Sequence, residues 1–125
     1  MRAASLLLLL AAAPALAQEC PLTGQSPKLE VQLFFSGASP AAWARFLRDE
    51  LTPAFPDGFT VYQAYGQWKD PKTHRISRER TEVVMIAAAD GPAFRSRITA
   101  LAERYTRRFH QQSVGLLTNP SCGAF

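Results

Sequence analysis

A carboxylate flanked by two guanidinium groups is the first chemistry this chain offers. In Arg78-Glu79-Arg80, Glu79 has the makings of a general base or of one side of a ligand clamp, because charge-assisted hydrogen bonds to a carboxylate are strong and directional. Strand geometry limits the idea. Neighbouring residues in a strand point to opposite faces, so Glu79 cannot share a face with both arginines. The plain structural alternative is a cross-strand ion pair with Arg75 or Lys69. His74 falls in a polar turn and His110 at the end of a helical stretch. Neither has a second histidine or a cysteine at metal-ligand spacing, so no metal or cofactor is expected. Ser113 has no identifiable base and lies in no Gly-x-Ser-x-Gly elbow. Gly58 and Gly66 are isolated turn or bulge glycines, not a phosphate loop.

Aromatic residues offer the other chemistry. In Gly66-Gln67-Trp68 the glycine allows a bulge or a close neighbour. Trp68 presents a flat apolar surface with one N–H donor. It is either a ligand platform or a tryptophan closing the edge of the core. Phe34 and Tyr62 join it on one side of a sheet if the strands run as follows.

From Lys28 the pattern alternates. Leu29, Val31, Leu33 and Phe35 point one way; Glu30, Gln32, Phe34 and Ser36 point the other. That is a strand with one buried face. Ser39-Pro40 supplies an N-cap and a first-turn proline. Trp43, Phe46, Leu47 and Leu51 follow as an apolar stripe, and Pro53 is expected to stop this helix a residue or two earlier. Pro56-Asp57-Gly58 marks a turn. Residues 59–68 read as a second strand, residues 70–74 as a polar hairpin connection, and residues 76–89 as a third strand. The continuous apolar run from Val83 to Ala89 suits a central position. Asp90-Gly91-Pro92 opens a second helix with Phe94, Ile98, Leu101, Ala102, Tyr105 and Phe109 on one face. Arg104, Arg107 and Arg108 near its end complement the helix dipole. Residues 113–117 read as a short fourth strand.

The order β-α-β-β-α-β predicts an α+β, ferredoxin-like fold: a four-stranded antiparallel sheet with two helices on one face. Its first and last strands lie side by side, so the start of one meets the end of the other. Cys20 precedes the first and Cys122 follows the last.

The chain opens with Arg2, an apolar run around Leu6 to Leu10, and Ala15-Leu16-Ala17. This is the layout of a secretory signal peptide over residues 1–17, cleaved after Ala17. A spanning helix needs roughly 20 apolar residues, and Gln18-Glu19 follow Ala17 at once. Lipidation at Cys20 would want a small residue before it, where Glu19 stands. Residues 18–125 then form one domain, expected in the periplasm or secreted, with no stable membrane span after cleavage. Two cysteines in an exported chain read as one disulfide. Without a Cys-x-x-Cys spacing, a reactive thiol has no support. The formal net charge of +4 loses one unit with Arg2. Export argues against a nucleic-acid partner. Anionic lipid or acidic envelope polymers fit the charge, as does ordinary solubility.

Phe55-Pro56-Asp57-Gly58-Phe59-Thr60-Val61, Gly66-Gln67-Trp68, Arg78-Glu79-Arg80 and Tyr105-x-x-x-Phe109-x-Gln111-Gln112-Ser113-Val114 together resemble a family of small exported bacterial proteins known as domain of unknown function 3574. The resemblance spans residues 29–117. It implies an envelope or secreted location and no settled activity. One departure stands out: the resemblance leads one to expect an acid where this chain has Gln112.

With both helices on one face, the opposite face must be solvated, paired or used for binding. Phe34, Tyr62 and Trp68 are large for an idle solvent face. The sequence therefore points to noncovalent binding of a small molecule or an envelope protein partner through the open sheet face, in a homodimer. Phe34, Tyr62, Trp68 and Glu79 are the candidate site residues. The alternative is a small enzyme of the dimeric α/β-barrel type with Glu79 or His74 in acid–base chemistry, which rests on fold analogy.

Overall fold

Val31, Leu33 and Phe35 are all but removed from solvent along strand β1 (Ser26–Ser36), while Gln32 and Phe34 between them are half-buried. That alternation divides the molecule into a covered and an open side. The computed structural model describes residues 19–125. The leader expected over residues 1–17 lies outside the described residues. Helix α1 begins with Pro40–Phe46, capped by the Ser39 hydroxyl accepting from the Ala42 N–H. It continues through a π-helical turn, Leu47–Leu51, into a last turn, Thr52–Ala54. Strands β2 (Thr60–Lys69) and β3 (Ile76–Ala88) form a hairpin, helix α2 spans Pro92–Phe109, and β4 covers Gly115–Gly123.

The sheet order is β2-β3-β1-β4, antiparallel throughout. This is the expected ferredoxin-like α+β arrangement, with the apolar run of β3 in a central position. On the covered side, Val31, Leu33 and Phe35 meet Val84 and Ile86 of β3 and the stripes of both helices. Phe35 is the hub of an aromatic cluster. Its ring lies 5.4 Å from Trp43, 5.8 Å from Phe46 and 4.7 Å from Tyr105, centroid to centroid. Tilted and edge-on pairs such as these contribute about 0.5–1.5 kcal/mol each beyond the area they bury.

Helix α1 does not stop before Pro53. The Thr52 N–H reaches back to the Leu47 carbonyl, five residues away. The wider turn has thus already shifted the hydrogen-bond ladder, and a proline, which brings no N–H, follows without breaking it. The Phe55 N–H then returns to the Leu51 carbonyl at 3.0 Å. Strand β4 also differs from expectation. It starts at Gly115 and runs well past residue 117 to Gly123. Pro120 is tolerated because β4 is an edge strand with one side free of ladder bonds. Its longer pairing sets Pro27 opposite Cys122. Cys20 and Cys122 are joined, with Cα atoms 5.6 Å apart.

Closing a loop of this size stabilises by up to about 4.7 kcal/mol in the chain-entropy model. The paired substitution Cys20→Ser, Cys122→Ser is therefore expected to lower the melting midpoint by about 10 °C or more with an unchanged far-ultraviolet dichroism spectrum. A midpoint equal to that of the oxidised protein would contradict this role.

Candidate functional site

The strand register builds the open face row by row. Tyr62, Val83 and Phe34 lie side by side, and Ala64, Thr81 and Ser36 form the next row. There β1 ends. The β2–β3 hairpin continues alone, pairing Gly66 with Glu79 and Trp68 with Ser77 on the open side. Alternation sends Arg78 and Arg80 to the other side of the same ribbon. Arg80 pairs there with Glu82 at 2.6 Å, beside the covered core. The ion pair of Glu79 with Arg75 or Lys69 does not form. Among the described residues the Glu79 carboxylate has no ion-pair or side-chain hydrogen-bond partner.

Between the root of this ribbon and residues 110–113 lies a hollow of about 800 Å³. Phe34, Trp68 and Glu79 line it, with Ser36 and Thr81 at its base and Gln111, Gln112 and Ser113 opposite. Three of the four candidate residues thus converge. Tyr62 does not reach the hollow. It stands one row further along the open face, 46% exposed, with its hydroxyl 3.5 Å from the Gln32 amide oxygen. His74 is remote, at the hairpin turn with φ 58°. There the Asp70 carboxylate accepts from the Thr73 and Lys72 N–H groups at 3.0 and 2.7 Å, which hold it below the usual carboxylate range, Thr73 contributing most. Of the two acid–base candidates, only Glu79 is at the hollow.

Local sequence explains the shape. Gly66 leaves room for the Thr81 hydroxyl: a Cβ at Gly66 would approach it to 2.9 Å. That hydroxyl hydrogen-bonds Ser36 at 2.9 Å. A glycine at 115 admits the Phe34 side chain, which a Cβ would meet at 3.2 Å. At the far wall, His110 closes α2 in the left-handed region, φ 53°, and its N–H bonds to the Thr106 carbonyl. A non-glycine residue in that conformation is uncommon. It turns residues 111–113 back toward the sheet, and Gln111 closes over Gly37. Sequence reading assigned no ligand role to Gln111, Gln112 or Thr81. The available signal was a helix ending without glycine, followed by three polar residues before an edge strand. Among the described residues no cluster of histidine, cysteine and carboxylates has metal-site geometry.

Tyr105 fixes the base of the hollow from behind. Its hydroxyl donates to the Ser36 carbonyl at 2.7 Å. Burial pushes its pKa up to about 12, the Glu82 charge adds to the rise, and a hydrogen bond with the Ala38 backbone opposes it.

Comparison with known proteins adds three findings. A family model described as "Protein of unknown function (DUF3574)" matches residues 30–125. No curated protein matches the sequence. Among solved structures, a phage SAM lyase in complex with S-methyl-5'-thioadenosine superposes with a TM-score of 0.57 at 11% identity, over 78% of this chain and 90% of that one. A phage SAM lyase in its apo state gives 0.57 at 13% identity, over 87% and 95%. At such identities the likeness is one of fold alone.

The Tyr105 geometry generates a pH dependence. A raised folded-state pKa means the folded protein holds this proton more tightly than the unfolded chain does. The stabilisation is complete below the ordinary tyrosine pKa near 10 and is lost as pH rises toward about 12. Unfolding free energy measured across this range is expected to fall, and Tyr105→Phe to flatten the fall. An equally steep decline in the variant would assign the effect elsewhere.

Proposed function

The chain belongs to the DUF3574 family, whose function is unknown, and from that premise we propose that it binds a small organic molecule noncovalently in the open-face hollow. The observation that carries the reading is Glu79, a carboxylate without an ion-pair partner among the described residues, lining one hollow with Trp68 and Phe34. A carboxylate beside aromatic rings favours a ligand with a delocalised or alkylated positive charge. Gln111, Gln112 and Ser113 offer hydrogen bonds to the polar parts of such a ligand. That a protein of similar fold holds S-methyl-5'-thioadenosine supports a nucleoside-sized ligand.

Exported location, in the periplasm or outside the cell, is part of the proposal. It is supported by the leader-like sequence and by the disulfide. No helix among the described residues is long and apolar enough to cross a membrane. We infer further that a second copy of the chain covers the rest of the open face. Tyr62, Met85 and Leu117 are 46%, 36% and 55% exposed there, large for residues left to water.

Two probes separate charge from shape: S-methyl-5'-thioadenosine, which is uncharged, and its S-methylated sulfonium, which adds one methyl group and one positive charge. Binding is followed by isothermal titration calorimetry, which needs no reporter side chain and so applies equally to the Trp68 variant. The sulfonium is expected to bind about tenfold more tightly. Glu79→Gln should erase that preference. Trp68→Ala should weaken both probes by roughly fivefold to tenfold. Equal binding of the two probes, unaffected by Glu79→Gln, would remove the cation-binding role. Turnover lost in Glu79→Gln with binding intact would establish the enzymatic alternative. For the second copy, light scattering should give twice the monomer mass and Tyr62→Glu should halve it; a monomeric wild-type protein would overturn the pairing.

A further inference from the structure

Beyond the Ser36–Thr81 pair, residues 65–80 leave the four-stranded sheet as a two-stranded arm. Five residue pairs extend past the end of β1, roughly 17 Å at strand rise. The arm holds five basic residues, Lys69, Lys72, Arg75, Arg78 and Arg80, against the two acids Asp70 and Glu79, whereas the remaining residues of 19–125 carry eight basic and eight acidic side chains. The net positive charge of the described chain therefore resides in the arm. Arg80 is tied to Glu82. Lys69, Lys72, Arg75 and Arg78 have no ion-pair partner among the described residues. The pleat then sorts the arm by chemistry. By register Glu79 and Trp68 lie on the hollow's side and Tyr65, Lys69, Ile76, Arg78 and Arg80 on the opposite side, from which Tyr65 still borders the hollow at the ribbon's edge. On that side Tyr65 is 84% and Ile76 58% exposed.

We propose that this arm docks the protein onto an anionic lipid surface. Its cations would meet the headgroups, and Tyr65 and Ile76 would enter the boundary between headgroups and acyl chains. Several basic residues together with exposed apolar and aromatic groups are the recognised requirements for such interfacial binding. A hydrated anionic polymer would use the cations and leave Ile76 in water. A second copy would bring two arms of like charge together. The lipid surface is the one occupant that uses both halves of this chemistry.

The test is co-sedimentation of the oxidised chain from Gln18 onward, which removes the apolar leader from the measurement and retains every described residue. Vesicles of phosphatidylcholine alone are compared with vesicles containing phosphatidylglycerol. The protein is expected to pellet with the anionic vesicles only and to be released by salt. The paired substitution Lys72→Glu, Arg75→Glu, at the exposed turn, is expected to reduce partitioning about tenfold or more. Tyr65→Ser, Ile76→Ser should reduce it with all charges retained. Soluble dextran sulfate reports on the polymer alternative. Binding to dextran sulfate that matches vesicle binding, with the Tyr65→Ser, Ile76→Ser protein behaving as wild type, would overturn the proposal in favour of an anionic polymer. Equal pelleting with both vesicle types, pelleting without vesicles, or no pelleting at all would overturn it outright. Melting curves of both variants establish that the fold is retained.

Discussion

Phe35 is the contact on which the arrangement depends. It sits near the end of a central strand and touches Trp43 and Phe46 of α1 and Tyr105 of α2. One side chain thus seats both helices on the same face at the same end of the sheet. Tyr105 adds a hydrogen bond to the backbone of the next residue, Ser36. The end of β1 is therefore held from the covered side by packing and by a polar contact. That anchorage places Ser36 and Thr81 as a floor and leaves the open face without a helix above it. The uncovered face follows from the fact that both helices went to one side, and the projecting arm from β2 and β3 outrunning β1.

Much of this was legible in the residues, for identifiable reasons. Alternation in β1 runs from Leu29 to Ser36 with Phe34 as its one apolar exception, and a period of two determines sidedness without any knowledge of contacts. The same rule applied to Glu79 separates it from Arg78 and Arg80, as the register confirms. Ser39-Pro40 and Asp90-Gly91-Pro92 mark helix starts through local backbone chemistry, which acts within a few residues. The paired cysteines were readable because strand order brings their flanking segments together.

What escaped the sequence depends on longer range or on compensation between neighbours. Pro53 reads as a stop, but the π-helical turn before it, Leu47–Leu51, absorbs the missing donor. Such a turn has no compositional signature. The extent of β4 depends on pairing with β1, and Thr118, Asn119 and Pro120 do not advertise a strand by themselves. The far wall of the hollow depends on His110 adopting a left-handed conformation, where glycine would have been the readable sign. The ion pair expected for Glu79 fails because the ribbon's cations lie on its other side or at its turn. Sidedness was legible; which of two opposite charges would be left alone was not.

Because β4 pairs along most of β1, and the bond between Cys20 and Cys122 lies beside that seam, the first and last elements are direct neighbours. A chain delivered amino end first presents β1 with one edge unoccupied until β4 has emerged. The β2–β3 hairpin and both helices can organise earlier, since their partners lie within the segment already delivered. Completion of the sheet is thus a terminal event, and oxidation comes later still or traps an unfinished molecule. The architecture makes the order of appearance of its parts matter: a chain held back just before β4 exposes the β1 edge, ready to accept a strand from another molecule.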